Sequence, residues 1–310
     1  MKLLLGFLKL IRFPNLVFIA LAQLLFQVCI YNPLYEGQVP PGDFLRFTFI
    51  LFGSLFIAAG GYVINDYFDV DIDEVNKPHA MVVGKIISRR WAMVWHFMLS
   101  TSGLMLTFLG LISLSQLYLV LANAIAVILL WLYSTKYKKS FLIGNLLIAL
   151  LVSWSMLIVF FSKIDPFEVI GANSARQLQL FRFVALYAGF AFLSTLVREL
   201  VKDVEDLEGD RKFGCKTLPI IWGIPVAKLF TAVWSFMLLA LLGLVLFYML
   251  QLQFYFVFIY TFIFVFLPLL GWIRRMRMAT TTQEFGRLSR HLKWILFLGI
   301  ISMAFFYFEL

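Results

Sequence analysis

Long apolar runs alternate along the chain with short clusters of charge, glycine and proline. A helix needs about 20 apolar residues to cross a bilayer. Nine runs meet that length, at about 13 to 31, 44 to 64, 91 to 112, 115 to 134, 141 to 161, 180 to 200, 225 to 249, 253 to 273 and 292 to 308. The expected fold is all-α: a polytopic membrane protein with nine transmembrane helices in one bundle, a single domain over residues 1 to 310. Nine spans leave only short connectors, so the function has to lie in the spans and the loops between them. Ala20-Leu21-Ala22 fits a small-residue cleavage pattern. Because Lys9 and Arg12 interrupt the early apolar run and the first span continues past that point, the segment reads as a span rather than a cleaved leader.

Composition narrows the classes. The chain is 62% hydrophobic and 14% charged, where a soluble domain carries roughly 25% charge. That excludes a soluble enzyme and a disordered chain. Its two cysteines, Cys29 and Cys215, have no CxxC spacing, which excludes a disulfide scaffold or a zinc module.

The basic residues carry the topology. Across alternate connectors, 22 of the 26 Lys and Arg fall on one side, leaving Arg46, Lys163, Arg176 and Arg182 on the other. By the positive-inside rule the N-terminus is cytoplasmic and the C-terminus emerges on the far side. The net charge of +9 is thus mostly a topology signal, and no basic soluble surface is large enough for nucleic acid.

The acids are rarer and more unevenly placed. Of seventeen, five lie between Asp66 and Glu74 and six between Glu199 and Asp210, at the cytoplasmic ends of the second and sixth spans. Asp66, Asp69 and Asp73 stand at i, i+3 and i+7, and adding 137 to each gives Asp203, Asp206 and Asp210. On a helix this spacing sets three carboxylates on one face over two turns. Asp71, Glu74, Glu205 and Glu208 fall off that face. Two matched triplets four spans apart imply a weak internal four-helix repeat that brings equivalent sites together.

Two acidic faces meeting at one boundary need cations between them. With no His or Cys nearby, a hard ion is favoured, and Mg²⁺ usually takes one or two carboxylates and completes its shell with water and substrate phosphates. A diphosphate ester bridged by Mg²⁺ to both triplets fits the pattern. A solvated-loop reading of either window alone does not account for their identical spacing.

These residues also carry a family likeness. Asn65 to Asp73 reads NDxxDxxxD and Asp203 to Asp210 reads DxxDxxxD, a pair that resembles the UbiA superfamily of intramembrane prenyltransferases. Arg12 with Asn15, and Tyr133-Ser134 followed by Lys138 and Gly144-Asn145, extend the resemblance. Arg198 to Asp203, Gly209 to Arg211 and Lys216 to Pro219 are most similar to the branch that includes digeranylgeranylglyceryl phosphate synthases.

The resemblance implies nine helices around a central cavity, a prenyl diphosphate donor, a lipophilic acceptor and Mg²⁺. It makes Asp66, Asp69, Asp73, Asp203, Asp206 and Asp210 the metal and catalytic residues. It makes Asn15, Tyr62, Asn65, Lys77, Tyr133, Lys138, Asn145, Arg198 and Lys202 substrate contacts. The chain departs from the family after the first motif. Many relatives carry Asn-Arg-Pro and a further Arg-Pro there, whereas this chain has Asn76-Lys77-Pro78-His79-Ala80-Met81, with a point charge in place of the bidentate arginine fork.

Ionisation of an allylic diphosphate calls for stabilisation of both products. Lys138 and Lys77 would serve the anion. The faces of Tyr62, Tyr67 and Tyr133 would serve the cation at about 0.5–2 kcal/mol each. An anionic acceptor would need basic partners, for which Arg274, Arg275, Arg277, Arg287 and Arg290 are candidates, with contacts to anionic lipid head groups as the alternative. His79, His96 and His291 lack metal-ligand spacing and read as packing or interfacial residues. Acceptors of quinone, haem or chlorophyll biosynthesis stay open, as does a secondary transporter. Transporter sites, however, lie near the midplane in broken helices, and these acids lie at helix ends.

Overall fold

The computed structural model describes residues 2–76, 81–164 and 174–310. Nine helices among these residues are long and apolar enough to span a membrane: Phe13–Leu34, Asp43–Phe68, Arg89–Leu109, Leu114–Thr135, Ile143–Phe161, Ala175–Glu205, Gly223–Gln251, Tyr255–Met278 and Thr282–Phe308. They are the nine expected, and are numbered here as the first to ninth spans. The ninth begins ten residues earlier than its apolar run, because Thr281 and Glu284 form a capping box that starts the helix in polar sequence. Ahead of the first span, Lys2–Leu10 forms a separate short helix with Leu3, Leu4 and Leu5 exposed.

Lipid tails are as apolar as leucine, so membrane helices associate by close packing rather than by a hydrophobic drive. The second and third spans show how. A Cβ on Gly53 would stand 2.8 Å from Thr107 Oγ1, and one on Gly103 would stand 2.7 Å from Ile57 and 3.0 Å from the Gly53 carbonyl. The two backbones touch at that crossing, and His96 Nδ1 lies 2.9 Å from the Gly60 oxygen on the same seam. His96 is therefore a buried packing residue, as the sequence suggested. Apolar side chains such as Met105, Leu121, Ile128, Leu244 and Phe256 stand exposed on the outer surface, as a lipid-facing belt requires.

The internal repeat is visible in the backbone. The second span ends at Phe68, and after Asp69 a short helix runs Val70–Asn76; the sixth span ends at Glu205, and after Asp206 a short helix runs Leu207–Lys212. The amides of Asp69 and Asp73 bond to the carbonyls of Asn65 and Asp69; 137 residues on, those of Asp206 and Asp210 bond to Lys202 and Asp206. The first and fifth spans match too. Each is preceded by a left-handed residue, Arg12 (φ 50°) or Leu142 (φ 55°), with an asparagine three positions later. The first and second spans thus share these local features with the fifth and sixth.

Each triplet was expected on a single continuous helix. The structure instead breaks both helices at the middle aspartate. Aspartate is a poor interior residue because its side chain competes for backbone groups, and the break lets the last third of each motif swing toward its counterpart. The two short helices pack against each other.

Candidate active site

The site lies where the two breaks meet. From the first copy, Asp69 is 3% exposed and accepts a hydrogen bond from Asn65 Nδ2 at 2.6 Å and an ion pair from Lys138. Lys138 sits in the turn Tyr137–Lys139 between the fourth and fifth spans. That turn can approach because Gly144 faces it: a Cβ there would lie 2.7 Å from the Tyr137 carbonyl. Asp66 is paired with Arg12 at 2.9 Å. Arg12 also stacks over the Tyr62 ring, 5.0 Å from its centroid.

From the second copy, Asp203 accepts from Asn145 Nδ2 at 2.8 Å, and Asp210 is 7% exposed. The repeat makes Asn145 the counterpart of Asn15. In the first copy, Arg12 takes the aspartate instead, while Asn15 turns to Tyr62 (3.4 Å) and accepts from Lys293 Nζ (2.6 Å) of the ninth span. The quasi-symmetric halves therefore differ in charge, with a cation on Asp66 and an amide on Asp203.

Several side chains tie the halves together. Tyr133 is within electrostatic reach of Lys138, Glu199, Asp69 and Asp203. Cys215 is buried within electrostatic reach of Asp210 and of the Lys138–Asp69 pair; burial, then Asp210, pushes its thiol up to about 11. Burial disfavours the Lys138 ammonium, but Asp69, Tyr133 and Asp73 together outweigh it and raise its pKa above the ordinary value. Burial opposes the Arg12 cation as well, and Asp66, Tyr62 and Asp69 together outweigh it.

On the bundle side of the motifs lies a basic group around Glu199. Arg198 Nη1 and Lys202 Nζ both donate to its Oε1, at 3.1 and 3.0 Å. Arg12 reaches the same group electrostatically, and Lys293 lies near both Arg12 and Arg198. The Nε of Arg198 is buried with no hydrogen-bond partner among the described residues.

Among the sequence-predicted residues, Asn15, Tyr62, Asn65, Tyr133, Lys138, Asn145, Arg198 and Lys202 join this cluster. Lys77 lies outside the described residues, as does His79. Of the off-face acids, Asp71 is exposed and paired with Arg89 at 3.4 Å, while Glu205 packs against Gly286 of the ninth span. Tyr67 packs edge to face on Phe68. Glu199 and Lys293 were not anticipated. Lys293 sits among five arginines in the sequence and is set apart by helical phase, seven residues after the inward Gly286.

The donor chemistry is all oxygen, with carboxylates from two packed helices, as a hard divalent cation prefers. Among the described residues no three acids close around one point. That arrangement suits an ion taking one or two carboxylates and sharing a diphosphate, rather than a dedicated protein cage.

Comparison with known proteins agrees with this geometry. The model of the UbiA prenyltransferase family matches residues 29–301. The chain belongs to the UbiA prenyltransferase family. Within it, a digeranylgeranylglyceryl phosphate synthase of Thermococcus sibiricus is 34% identical over 189 residues, 61% of this chain. The match spans 60% of that relative's length. A solved structure concerning digeranylgeranylglyceryl phosphate synthase in membranes superposes over 100% of both chains, with a TM-score of 0.67 and 25% identity. A UbiA homologue from Archaeoglobus fulgidus bound to DMAPP and Mg²⁺ shares the fold at a TM-score of 0.56 and 17% identity, over 96% of this chain and 99% of its own.

Proposed function

We propose that this chain transfers a polyprenyl group, geranylgeranyl in the leading case, from its diphosphate to a lipophilic acceptor of the glycerol-phosphate lipid kind, in a Mg²⁺-dependent reaction. The observation that carries this reading is the meeting of two helix breaks, each bearing the same DxxDxxxD acids, with Lys138 on Asp69 and Asn145 on Asp203. The relatives' name and the Mg²⁺- and DMAPP-bound homologue support the same chemistry. The basic excess on the motif face supports a cytoplasmic orientation for it.

Asp66, Asp69, Asp73, Asp203, Asp206 and Asp210 would hold the metal and, through it, the diphosphate. Bound there, Mg²⁺ supplies neutralisation of the charge that develops on the leaving diphosphate. Asn65 and Asn145 fix the rotamers of Asp69 and Asp203 by donating to one oxygen each and leaving the other open. Lys138 and Arg12 carry positive charge to the rim of the acidic cluster, where phosphate oxygens would lie. The Tyr62 and Tyr133 rings provide negative π faces for the allylic cation. Exclusion of water around the reacting carbon would protect that cation from hydrolysis.

Arg198, Lys202 and Lys293 form the acceptor end of the site. Glu199 neutralises only part of their charge, and the unpartnered Arg198 Nε is a donor suited to a phosphate oxygen. This favours an acceptor that brings its own negative charge.

The test is purified protein in lipid nanodiscs with labelled geranylgeranyl diphosphate, Mg²⁺ and an acceptor panel: geranylgeranylglyceryl phosphate, 4-hydroxybenzoate, dihydroxynaphthoate, haem and chlorophyllide. Transfer to the glycerol-phosphate lipid is expected. Transfer to another acceptor alone would overturn the acceptor assignment, and intact diphosphate with every acceptor would overturn the enzyme reading.

A further inference from the structure

The motif face carries a second basic feature, outside the active-site cluster. The last turns of the eighth span and the first turns of the ninth enclose an open crevice of about 670 Å³, bordered by Arg274, Arg275, Met278, Arg287, His291 and Gly271. Its position follows from helical phase. On the ninth span, Gly286 touches Glu205 and Lys293 donates to Asn15, so these two define the inward face. His291 is two residues from Lys293, a rotation of about 200°, and so looks the other way. The basic residues between the last two spans are thus divided by the helix: three of the five arginines expected as acceptor or lipid head-group contacts turn away from the site, and Lys293, not expected there, faces it. Lys293 serves the site, and Arg274, Arg275 and Arg287 line a crevice on the opposite face.

We propose that this crevice binds the phosphate head group of an anionic membrane phospholipid. Three guanidiniums from two antiparallel helices converge on it, and Arg275 Nη1 lies 3.3 Å from His291 Nδ1, which holds the two walls together. Glu284, the acid at the edge, is engaged by the Thr280 and Thr281 amides at 2.8 and 2.9 Å and forms no ion pair with the arginines among the described residues, so three guanidiniums face one carboxylate. The floor is open, since a Cβ on Gly271 would meet nothing within 4 Å. Exposed Leu270, Leu267 and Trp294 continue from the crevice along the outer apolar belt, giving acyl chains a surface to follow. A basic pocket between two helix ends with an apolar track beside it has the chemistry of a lipid head-group site. It matches a free anion poorly.

The experiment is native mass spectrometry of the full-length protein in detergent, titrated with phosphatidylglycerol, phosphatidylcholine or inorganic phosphate. Phosphatidylglycerol should bind at a small molar excess over protein and phosphatidylcholine weakly. The pair Arg274→Gln with Arg287→Gln should weaken phosphatidylglycerol binding by about thirtyfold. Gly271→Leu, which fills the floor without removing charge, should weaken it comparably. The control pair Arg90→Gln with Arg277→Gln loses the same charge outside the crevice and should bind normally. Equal loss in the control pair, equal binding of phosphatidylcholine, or displacement of the lipid by equimolar inorganic phosphate would each overturn the proposal. Size-exclusion profiles establish that each variant is folded, and Gly271→Leu gives an answer even where the double arginine variant does not fold.

Discussion

Replacement of Lys138 by methionine isolates the contact between the fourth-to-fifth connector and the first motif. Asp69 is 3% exposed, and its carboxylate is held by Asn65 and Lys138. Without the ammonium, a nearly buried charge keeps one amide donor. At a contact distance of about 3 Å and an effective dielectric of about 20, the Coulomb attraction is about 5 kcal/mol. Desolvation of both groups offsets much of that, and the Lys138 side chain is 26% exposed, so the net loss of stability should be about 2 kcal/mol. On the proposed function the catalytic loss should be larger, because a cation placed at the leaving diphosphate would act mainly in the transition state. Removal of one such group typically lowers kcat by about 10²- to 10³-fold. Transfer of labelled prenyl groups in nanodiscs, with thermal unfolding in parallel, measures both effects. The Lys138 pKa is raised, since Asp69, Tyr133 and Asp73 outweigh the burial that opposes the charge. The defect should therefore be flat from about pH 6 to pH 9. Lys138→Arg should keep kcat within about tenfold. Wild-type kcat in Lys138→Met, at matched folded protein, would refute the reasoning.

Further expectations follow from other contacts. Gly144→Ala places a methyl 2.7 Å from the Tyr137 carbonyl and should push the Lys138 turn away, lowering kcat more than thermal stability. On the far face, Asp43 accepts two hydrogen bonds from Lys163 Nζ at 2.8 and 2.7 Å and a third from Gln27 Nε2 at 2.9 Å, and the Lys163 ammonium lies over the Tyr31 ring. Asp43→Ala should cost about 3–5 kcal/mol in unfolding experiments, and adding Lys163→Met should recover much of it. Burial, against the pull of Asp43, lowers the Lys163 pKa from 10.5 to about 8. The folded chain then holds fewer protons on Lys163 than the unfolded chain across that window, so its contribution to stability rises with pH there. A thermal midpoint of wild type that falls relative to Lys163→Met between those pH values would contradict this. Cys215, with its pKa near 11, should resist alkylation by iodoacetamide at pH 8 in the native protein and react once unfolded.

Much of this was legible in the residues. Apolar run length gave all nine spans, because a bilayer imposes one length on every helix. The 137-residue offset between the aspartate triplets gave the repeat. The helix breaks at Asp69 and Asp206 were not legible, since spacing alone allows a continuous helix with the same three acids on one face. Lys293 was hidden for a different reason. It shares a connector with five arginines, and its inward direction depends on where the capping box at Thr281 starts the ninth helix. The exchange between Arg12 on Asp66 and Asn145 on Asp203 also needed coordinates, because two copies of one backbone can fill equivalent positions with unlike partners. The strained entries at Arg12 and Leu142 belong with it: left-handed non-glycine residues have no sequence signal of their own.

The central claim is that the two aspartate motifs form one metal-dependent site. Its most direct test is release of diphosphate from labelled geranylgeranyl diphosphate, in the presence of the lipid acceptor, by wild type, Asp69→Ala and Asp206→Ala across a Mg²⁺ titration. The account predicts Mg²⁺-dependent release by wild type and loss of at least about 10³-fold in each variant, with insertion and folding retained. Wild-type release in either variant, or release that persists unchanged in excess chelator, would contradict it.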